Sequence, residues 1–131
     1  MIQRIQTIYL LVATIAMALI SFKVPVWTLN EQLFMAQDDT KMFILTISAF
    51  LFPLISIFLY KWRMVQMRLN RLAIVLGWVI SIRLFSVHYY TGNEMSSYSV
   101  VLLLVYFVSL VLAYKAIKKD EDLVRSVDRI R

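Results

Sequence analysis

The sequence contains no cysteine, and it has only two glycines and two prolines among its 131 residues. Without cysteine the chain forms neither disulfides nor thiolate metal sites, and a cysteine nucleophile is excluded. The shortage of glycine and proline excludes flexible linkers and glycine-rich phosphate loops. Because no segment separates two units, we predict a single domain over residues 1–131.

Charged residues are also scarce. They make up 17% of the chain, whereas 61% of the residues are hydrophobic and the mean hydropathy is +0.74. A soluble domain has about a quarter of its residues charged, so this composition predicts an integral membrane protein. In a membrane protein, an excess of lysine and arginine sets the orientation of the spans, and we interpret the net charge of +6 in this way. We expect no nucleic-acid partner, because the basic residues flank apolar segments instead of forming a separate domain.

Four segments are apolar enough to cross a bilayer, which takes about 20 residues. The predicted fold class is therefore all-α, a four-helix transmembrane bundle with a cytoplasmic helical extension at its carboxyl end. The predicted spans are residues 5–22, 42–60, 72–88 and 98–114. The predicted outer connections are residues 23–41 and 89–97, the inner connection is 61–71, and the tail is 115–131.

The basic residues predict the direction of the spans. The outer connections carry only Lys23 and Lys41, together with four acidic residues. The other basic residues outside the spans lie on the opposite side: Arg4, Lys61, Arg63, Arg68, Arg71, Lys115, Lys118, Lys119, Arg125, Arg129 and Arg131. The positive-inside rule then puts both termini in the cytoplasm. Aromatic residues mark the interfaces in the same sense, with Tyr60, Trp62 and Tyr114 inside and Trp27, Tyr89, Tyr90 and Tyr98 outside.

The first two segments leave questions of processing and local structure. Ala16-Met17-Ala18 resembles a signal-peptide cleavage site, but the apolar run continues to Phe22, so we expect a retained anchor. In the connection that follows, apolar and polar residues alternate around Val24, Val26 and Thr28. This pattern fits a short hairpin, and an irregular loop on the headgroups fits equally well.

Each span carries a stripe of small or polar residues three or four positions apart, the pattern through which helices associate in lipid. The predicted packing positions include Thr14, Ala18, Pro53, Gly77, Ser81 and Tyr106, and the stripe of the second span is Thr46, Ala49, Pro53 and Ser56. Pro53 lacks an amide proton and so frees the carbonyl of Ala49. An unpaired hydroxyl in hydrocarbon is costly. We therefore predict that Tyr106 donates to this carbonyl, or to a Ser or Thr of the first two spans.

Arg83 is the one basic residue inside a predicted span, about 7–8 Å below the outer interface. In one interpretation it reaches the headgroups or pairs with an acidic residue of the outer connections: Glu31, Asp38, Asp39 or Glu94. In the other it points about 120–160° away from the Gly77–Ser81 stripe and meets a lipid phosphate or a partner protein.

The residue pattern gives no sign of catalysis. No span contains an acidic residue, which argues against an ion-coupled transporter. Neither a nucleophile–base pair nor a set of metal ligands is recognisable. His88 is the only histidine and is expected to be a plain polar residue. We therefore predict a protein that is not an enzyme and has no cofactor or metal.

The inner segments are patterned. "KWRMVQMRLNR" is basic and amphipathic, and the tail puts Leu123, Val127 and Ile130 on one helical face. The tail is either a solvated helix that continues the fourth span, or a surface that docks a partner or, through Asp120, Glu121 and Asp122, the basic loop. The candidate contacts for a partner or for lipid are Arg83, Lys61, Arg63, Arg68, Arg71, Leu123, Arg125, Val127 and Arg129.

The stretches "MIQRIQTIYLL", "QMRLNRLAIVL" and "KDEDLVRSVDRIR" together resemble an uncharacterised family of small four-span inner-membrane proteins of Bacteroidota. The resemblance covers nearly the whole chain, and the tail is its most specific part. It implies a bacterial cytoplasmic membrane and the same topology. The family supplies no activity, so no residue inherits a role from it.

Three functions fit these observations. The first is a non-catalytic accessory or structural subunit of a larger inner-membrane complex, such as translocation or energy-transducing machinery. The second is a small oligomeric transporter or channel, with Arg83 and the outer tyrosines along an anion path. The third is a lipid-binding or lipid-modifying protein. The expected partners are the lipid bilayer and other membrane subunits.

Overall fold

The computed structural model describes residues 2–130, with side chains from Ile5 to Ile130. Within that range, four helices are each long and apolar enough to cross a membrane. The elements in chain order are α1 (Ile2–Phe22), β1 (Pro25–Leu29), β2 (Gln32–Met35), a 3-10 turn (Ala36–Asp38), α2 (Thr40–Phe58), α3 (Arg63–Thr91), β3 (Glu94–Met95) and α4 (Ser97–Ile130). The side chain of Arg4 and the whole of Arg131, both counted above as inner basic residues, lie outside the described residues.

The predicted inner connection is corrected, and the helical form predicted for the tail is observed. α3 begins at Arg63, so most of the predicted inner connection is helical, and the true connection between α2 and α3 is residues 59–62. The physical reason is composition, because "RMVQMRLN" lacks glycine and proline and is rich in good helix formers. α4 continues without interruption to Ile130, so the tail is a helix that extends the fourth span.

The helices form a closed ring of contacts in which α1 packs on α2 and α4, and α3 packs on α2 and α4. The stripe predicted for α2 is buried in full. On α1, Thr14 is buried and Ala18 is half-buried, but Thr7 and Leu11, which continue the same spacing toward the amino end of the helix, are exposed. Because α1 packs on two neighbours, its buried face is wider than one stripe. That face consists of Gln6, Leu10, Ala13, Thr14, Ala16, Met17, Ile20 and Ser21.

A three-stranded antiparallel sheet of order β2-β1-β3 covers one end of the bundle, which we call the sheet end. The sequence was compatible with either a short hairpin or an irregular loop in this connection, and the structure has the hairpin. Its two-residue turn is Asn30-Glu31, with φ angles of 48° and 68°. Positive φ at both central residues matches the right-handed twist of paired strands. β3 was not predicted, because two residues carry no recognisable period.

Trp27, which was predicted to mark the outer membrane interface, lies at the sheet end with its side chain buried inside the protein, with 3% exposed. Its indole Nε1 donates to the Leu84 carbonyl of α3 at 3.4 Å. The sheet is also tied to α4, since Ser99 Oγ donates to the Pro25 carbonyl at 2.6 Å. The chain after α1 therefore folds back over the helix ends and closes the bundle there.

Candidate functional site

Arg83 pairs with Asp39 at the sheet end. Its Nη2 lies 2.9 Å from Asp39 Oδ2, and both side chains are half-buried. The other carboxylate oxygen of Asp39 accepts from the Lys41 amide at 3.1 Å, which caps the first turn of α2. One carboxylate therefore holds the start of α2 and the guanidinium of α3 together. Of the four acidic candidates, the fold selects Asp39, and the intramolecular interpretation of Arg83 is the one observed.

A pocket of about 220 Å³, open on one side, lies beside this ion pair and is lined by β1, β2, the 3-10 turn and the end of α3; we call it the sheet pocket. Asp38 contributes a second carboxylate, whose Oδ2 accepts from the Met35 amide at 2.8 Å. Two buried polar atoms, Arg83 Nε and Asn93 Oδ1, have no hydrogen-bond partner among the described residues. The full lining is Trp27, Phe34, Met35, Asp38, Asp39, Arg83, Val87, Thr91 and Asn93.

Tyr106 joins three helices at mid-bundle. Its hydroxyl lies 3.0 Å from the Ala49 carbonyl of α2 and 3.1 Å from the Ala73 carbonyl of α3. The predicted hydrogen bond to the carbonyl freed by Pro53 is therefore confirmed. The second acceptor on α3 was not predicted.

Gly77 and Ser81 lie on the α3 surface that faces α4, and Gly77 is buried while Ser81 is half-buried. A Cβ at Gly77 would come within 2.9 Å of two ring carbons of Phe107. The hydroxyl of Ser81 donates to the Gly77 carbonyl of its own helix at 2.9 Å. Gly77 is therefore the position of α3 against which the Phe107 ring of α4 packs.

Buried amides at the opposite end of the bundle were missed by the sequence analysis. Gln66 Nε2 donates to the Ser56 carbonyl at 3.1 Å, and Asn70 Nδ2 donates to the Leu110 carbonyl at 2.9 Å. Gln6 Nε2 donates to the Ala116 carbonyl at 3.2 Å. A usable signal existed on α3, because stepping back from Gly77 by four, three and four leads through Ala73 to Asn70 and Gln66. The prediction of a loop at 61–71 concealed that stripe.

Basic and acidic residues meet at this same end, which we call the basic end. Arg63 Nε lies 2.8 Å from Asp120 Oδ2, and its Nη1 lies 3.9 Å from Glu121 Oε2. Glu121 also pairs with Arg125 at 3.2 Å. Asp120 and Glu121 thus contact the start of α3, as one interpretation of the tail predicted. Asp122 lies elsewhere, on a basic groove with Lys115, Lys118 and Lys119.

The remaining candidate contacts are exposed at the basic end. Lys61, Arg68, Arg71 and Arg129 are all exposed, and Lys61 Nζ lies 5.9 Å from the centre of the Tyr60 ring. Leu123, Val127 and Ile130 are 47%, 54% and 86% exposed, and we call them the tail face. The structure therefore does not bring the predicted contacts into one site. Arg83 belongs to the sheet end and the others to the basic end.

The titratable side chains do not assemble a metal centre. Over residues 2–130, the structure contains no group of three or more His, Asp or Glu side chains placed to hold a metal ion. His88 is exposed, and its Nδ1 lies 2.7 Å from the Asn93 carbonyl. That contact spans the end of α3, where Gly92 adopts a left-handed conformation with φ of 74°.

Comparison with known proteins gives a family and no activity. A family model described as "Domain of unknown function (DUF4293)" matches residues 2–130. Neither a curated protein nor a solved structure matches the chain. The match supports the resemblance noted from the sequence as far as the family itself. It carries no information on the source organism or on the number of spans.

Proposed function

Because the chain belongs to the DUF4293 family, whose description names no activity, we propose a function from its geometry. The protein is a non-catalytic accessory subunit of a larger membrane complex. The observation that carries this proposal is the tail face, an apolar surface held out beyond the bundle without a covering segment among the described residues.

The length of α4 supports the proposal. Its 34 residues span about 51 Å, whereas the hydrocarbon core of a bilayer is about 30 Å thick. The excess length of the helix lies at the basic end, where residues 115–130 extend α4 beyond its apolar part. The Arg63 ion pairs brace this extension near its base. The terminal turns are therefore held in water at a fixed place relative to the bundle.

The tail face has the spacing of a docking helix. Leu123, Val127 and Ile130 follow one another by four and three positions, which puts them on one side of the helix. Burying one such side chain contributes about 1.5–3 kcal/mol. Arg125 and Arg129 lie on the other sides of the same helical turns and would select partners by charge at the rim of the contact. A partner that offers an apolar groove with an acidic edge fits this surface.

The orientation is part of the proposal. We assign the basic end to the cytoplasm, with both termini inside, because lysine and arginine are retained on the cytoplasmic side of membranes. The sheet end, with Glu31, Asp38, Asp39 and Glu94, then faces outward. We further assign the protein to the cytoplasmic membrane of a bacterium, on the resemblance of its tail. The partner would then be a subunit exposed on the cytoplasmic face.

The test is purification of the tagged full-length protein from its native membranes in mild detergent, with quantitative identification of the proteins that accompany it. The variant Leu123→Ser/Val127→Ser should lose the accompanying subunits at least about tenfold, since it removes about 3 kcal/mol or more of apolar burial. The control Lys118→Ser/Asp128→Ser changes exposed residues of α4 away from the tail face, and it should retain them.

Two results would contradict the proposal. One is recovery of the same proteins with the tail-face variant and with the wild type. The other is recovery of the chain only with copies of itself, which favours the alternative of a small oligomeric transporter or channel. Both results are read against equal yields of folded protein for all the variants.

A further inference from the structure

We propose that the sheet pocket binds a phosphoethanolamine group, the headgroup of a phospholipid with a primary ammonium. The lining combines one guanidinium with two carboxylates at the ends of two apolar helices. This inference does not depend on the tail face or on a partner protein. It concerns a ligand at the opposite end of the molecule.

The charges of the pocket decide between classes of ligand. An anion such as phosphate alone would meet Arg83 but be repelled by Asp38 and Asp39. A simple cation would meet the carboxylates but be repelled by the guanidinium. A group that carries both signs matches all three side chains: its phosphate lies against Arg83 and its ammonium against the carboxylates.

Arg83 has hydrogen-bonding capacity left for such a ligand. Its guanidinium offers five N–H donors, and Asp39 engages it through Nη2. Arg83 Nε and Asn93 Oδ1 are buried and have no acceptor or donor among residues 2–130. Buried polar groups are ordinarily paired, and leaving one unpaired costs about 1–3 kcal/mol. A ligand with both donors and acceptors would pair such groups directly or through water.

Position and size favour a lipid as the source of the group. Asp39 caps the first turn of α2 and Thr91 ends α3, so the pocket lies where apolar helices leave the hydrocarbon and meet headgroups. Its volume of about 220 Å³ is below the roughly 300–1,000 Å³ of pockets for drug-sized ligands. A headgroup fits this space, while the acyl chains would lie along the apolar outer surface of the helices.

The experiment measures lipid retained by the purified full-length protein after exchange into detergent and incubation with vesicles of one phospholipid. Phosphatidylethanolamine should be retained about tenfold more than phosphatidylcholine, whose quaternary ammonium donates no hydrogen bonds, and more than anionic phosphatidylglycerol. Free phosphoethanolamine, added as a competitor, tests the soluble source. If free phosphoethanolamine binds and the lipid does not, the pocket recognises the proposed chemical group, and the source of that group is not a lipid.

Two variants test the residues. Arg83→Gln and Asp38→Asn should each reduce retention of phosphatidylethanolamine about tenfold, the effect of one charge-assisted hydrogen bond. Asp38→Asn keeps an oxygen for the Met35 amide, so it remains informative if Arg83→Gln unfolds. Arg68→Gln makes the same chemical change at the exposed basic end and should retain the lipid. Equal retention of the three lipids by the wild type, or unchanged retention by folded Asp38→Asn, would overturn the proposal.

Discussion

Tyr106 is the residue on which the packing of three helices converges. Its hydroxyl proton is shared between the carbonyls of Ala49 and Ala73, at 3.0 and 3.1 Å. Pro53 removes the amide that would otherwise bond Ala49 within α2. The hydroxyl therefore replaces a lost backbone hydrogen bond in the part of the bundle where water is excluded.

Tyr106→Phe should lower the free energy of unfolding by about 0.6–1.7 kcal/mol, which are the average and the maximum found for interhelical hydrogen bonds in a membrane protein. The ring remains in place, so the loss reports the hydroxyl alone. Reversible unfolding in mixed detergent micelles measures it. Tyr89→Phe removes the hydroxyl of a tyrosine that is 74% exposed and should leave stability unchanged. Equal stability of the two variants would contradict the role of Tyr106.

Gly77→Ala should destabilise the bundle by up to about 2 kcal/mol net, because overpacking typically costs about 1–3 kcal/mol. The new methyl group would lie 2.9 Å from two ring atoms of Phe107 and 3.1 Å from Cε1 of Tyr106. The helix propensity of alanine offsets about 1 kcal/mol of this cost. Thermal unfolding in detergent measures the net effect. Adding Phe107→Leu should recover part of the loss, and no recovery would place the clash elsewhere.

At the scale of elements, the extension of α4 depends on the first residue of α3. Arg63 reaches Asp120 and Glu121, and Glu121 also pairs with Arg125. These contacts lie at the water-facing end, where one ion pair contributes up to about 1 kcal/mol and is screened by salt. They are suited to orienting a helix, and the stability of the bundle comes from its buried stripes.

Arg63→Asp should increase amide hydrogen exchange in residues 120–130 without lowering the unfolding temperature appreciably, because it sets like charges against each other at the base of the extension. The double variant Arg63→Asp/Asp120→Arg restores opposite charges and should restore protection. Arg68→Asp makes the same change at an exposed position and should have no effect. Unchanged exchange in Arg63→Asp would show that helix propensity alone orders the tail.

At the scale of the whole molecule, charge is divided between the two ends. The sheet end carries four of the eight acidic residues and few basic ones, whereas the basic end carries the other four acidic residues together with most of the lysine and arginine. Net negative and net positive connections alternate along the chain. This arrangement is the physical basis for the proposed orientation, since basic segments resist translocation across the membrane.

Single-cysteine variants should reveal that orientation, because the natural chain has no cysteine to label. Gln37→Cys, at the exposed sheet end, should react with a membrane-impermeant maleimide in intact cells. Ser126→Cys, in the exposed tail, should react only after the membrane is permeabilised. Labelling of Ser126→Cys in intact cells would reverse the proposed topology and exclude a cytoplasmic partner for the tail face.

The sequence by itself determined the four apolar helices, the buried stripe of α2 and the hydrogen bond from Tyr106 to Ala49. These features follow from local rules. A span must satisfy its own backbone hydrogen bonds in lipid, so length and hydropathy identify it. Helical period then places Thr46, Ala49, Pro53 and Ser56 on one face. A proline frees one known carbonyl, whatever the neighbouring helices do.

Only the tertiary structure decided which acidic residue meets Arg83, that Trp27 is buried, and that β3 joins the hairpin. Each of these depends on how the connections fold back over the helix ends, because residues up to 74 positions apart come into contact there. The hydrogen-bond acceptors of Gln66 and Asn70 belong to the same class. The period of α3 places both amides on the Gly77 stripe, but only the packing of α2 and α4 against α3 supplies the carbonyls of Ser56 and Leu110.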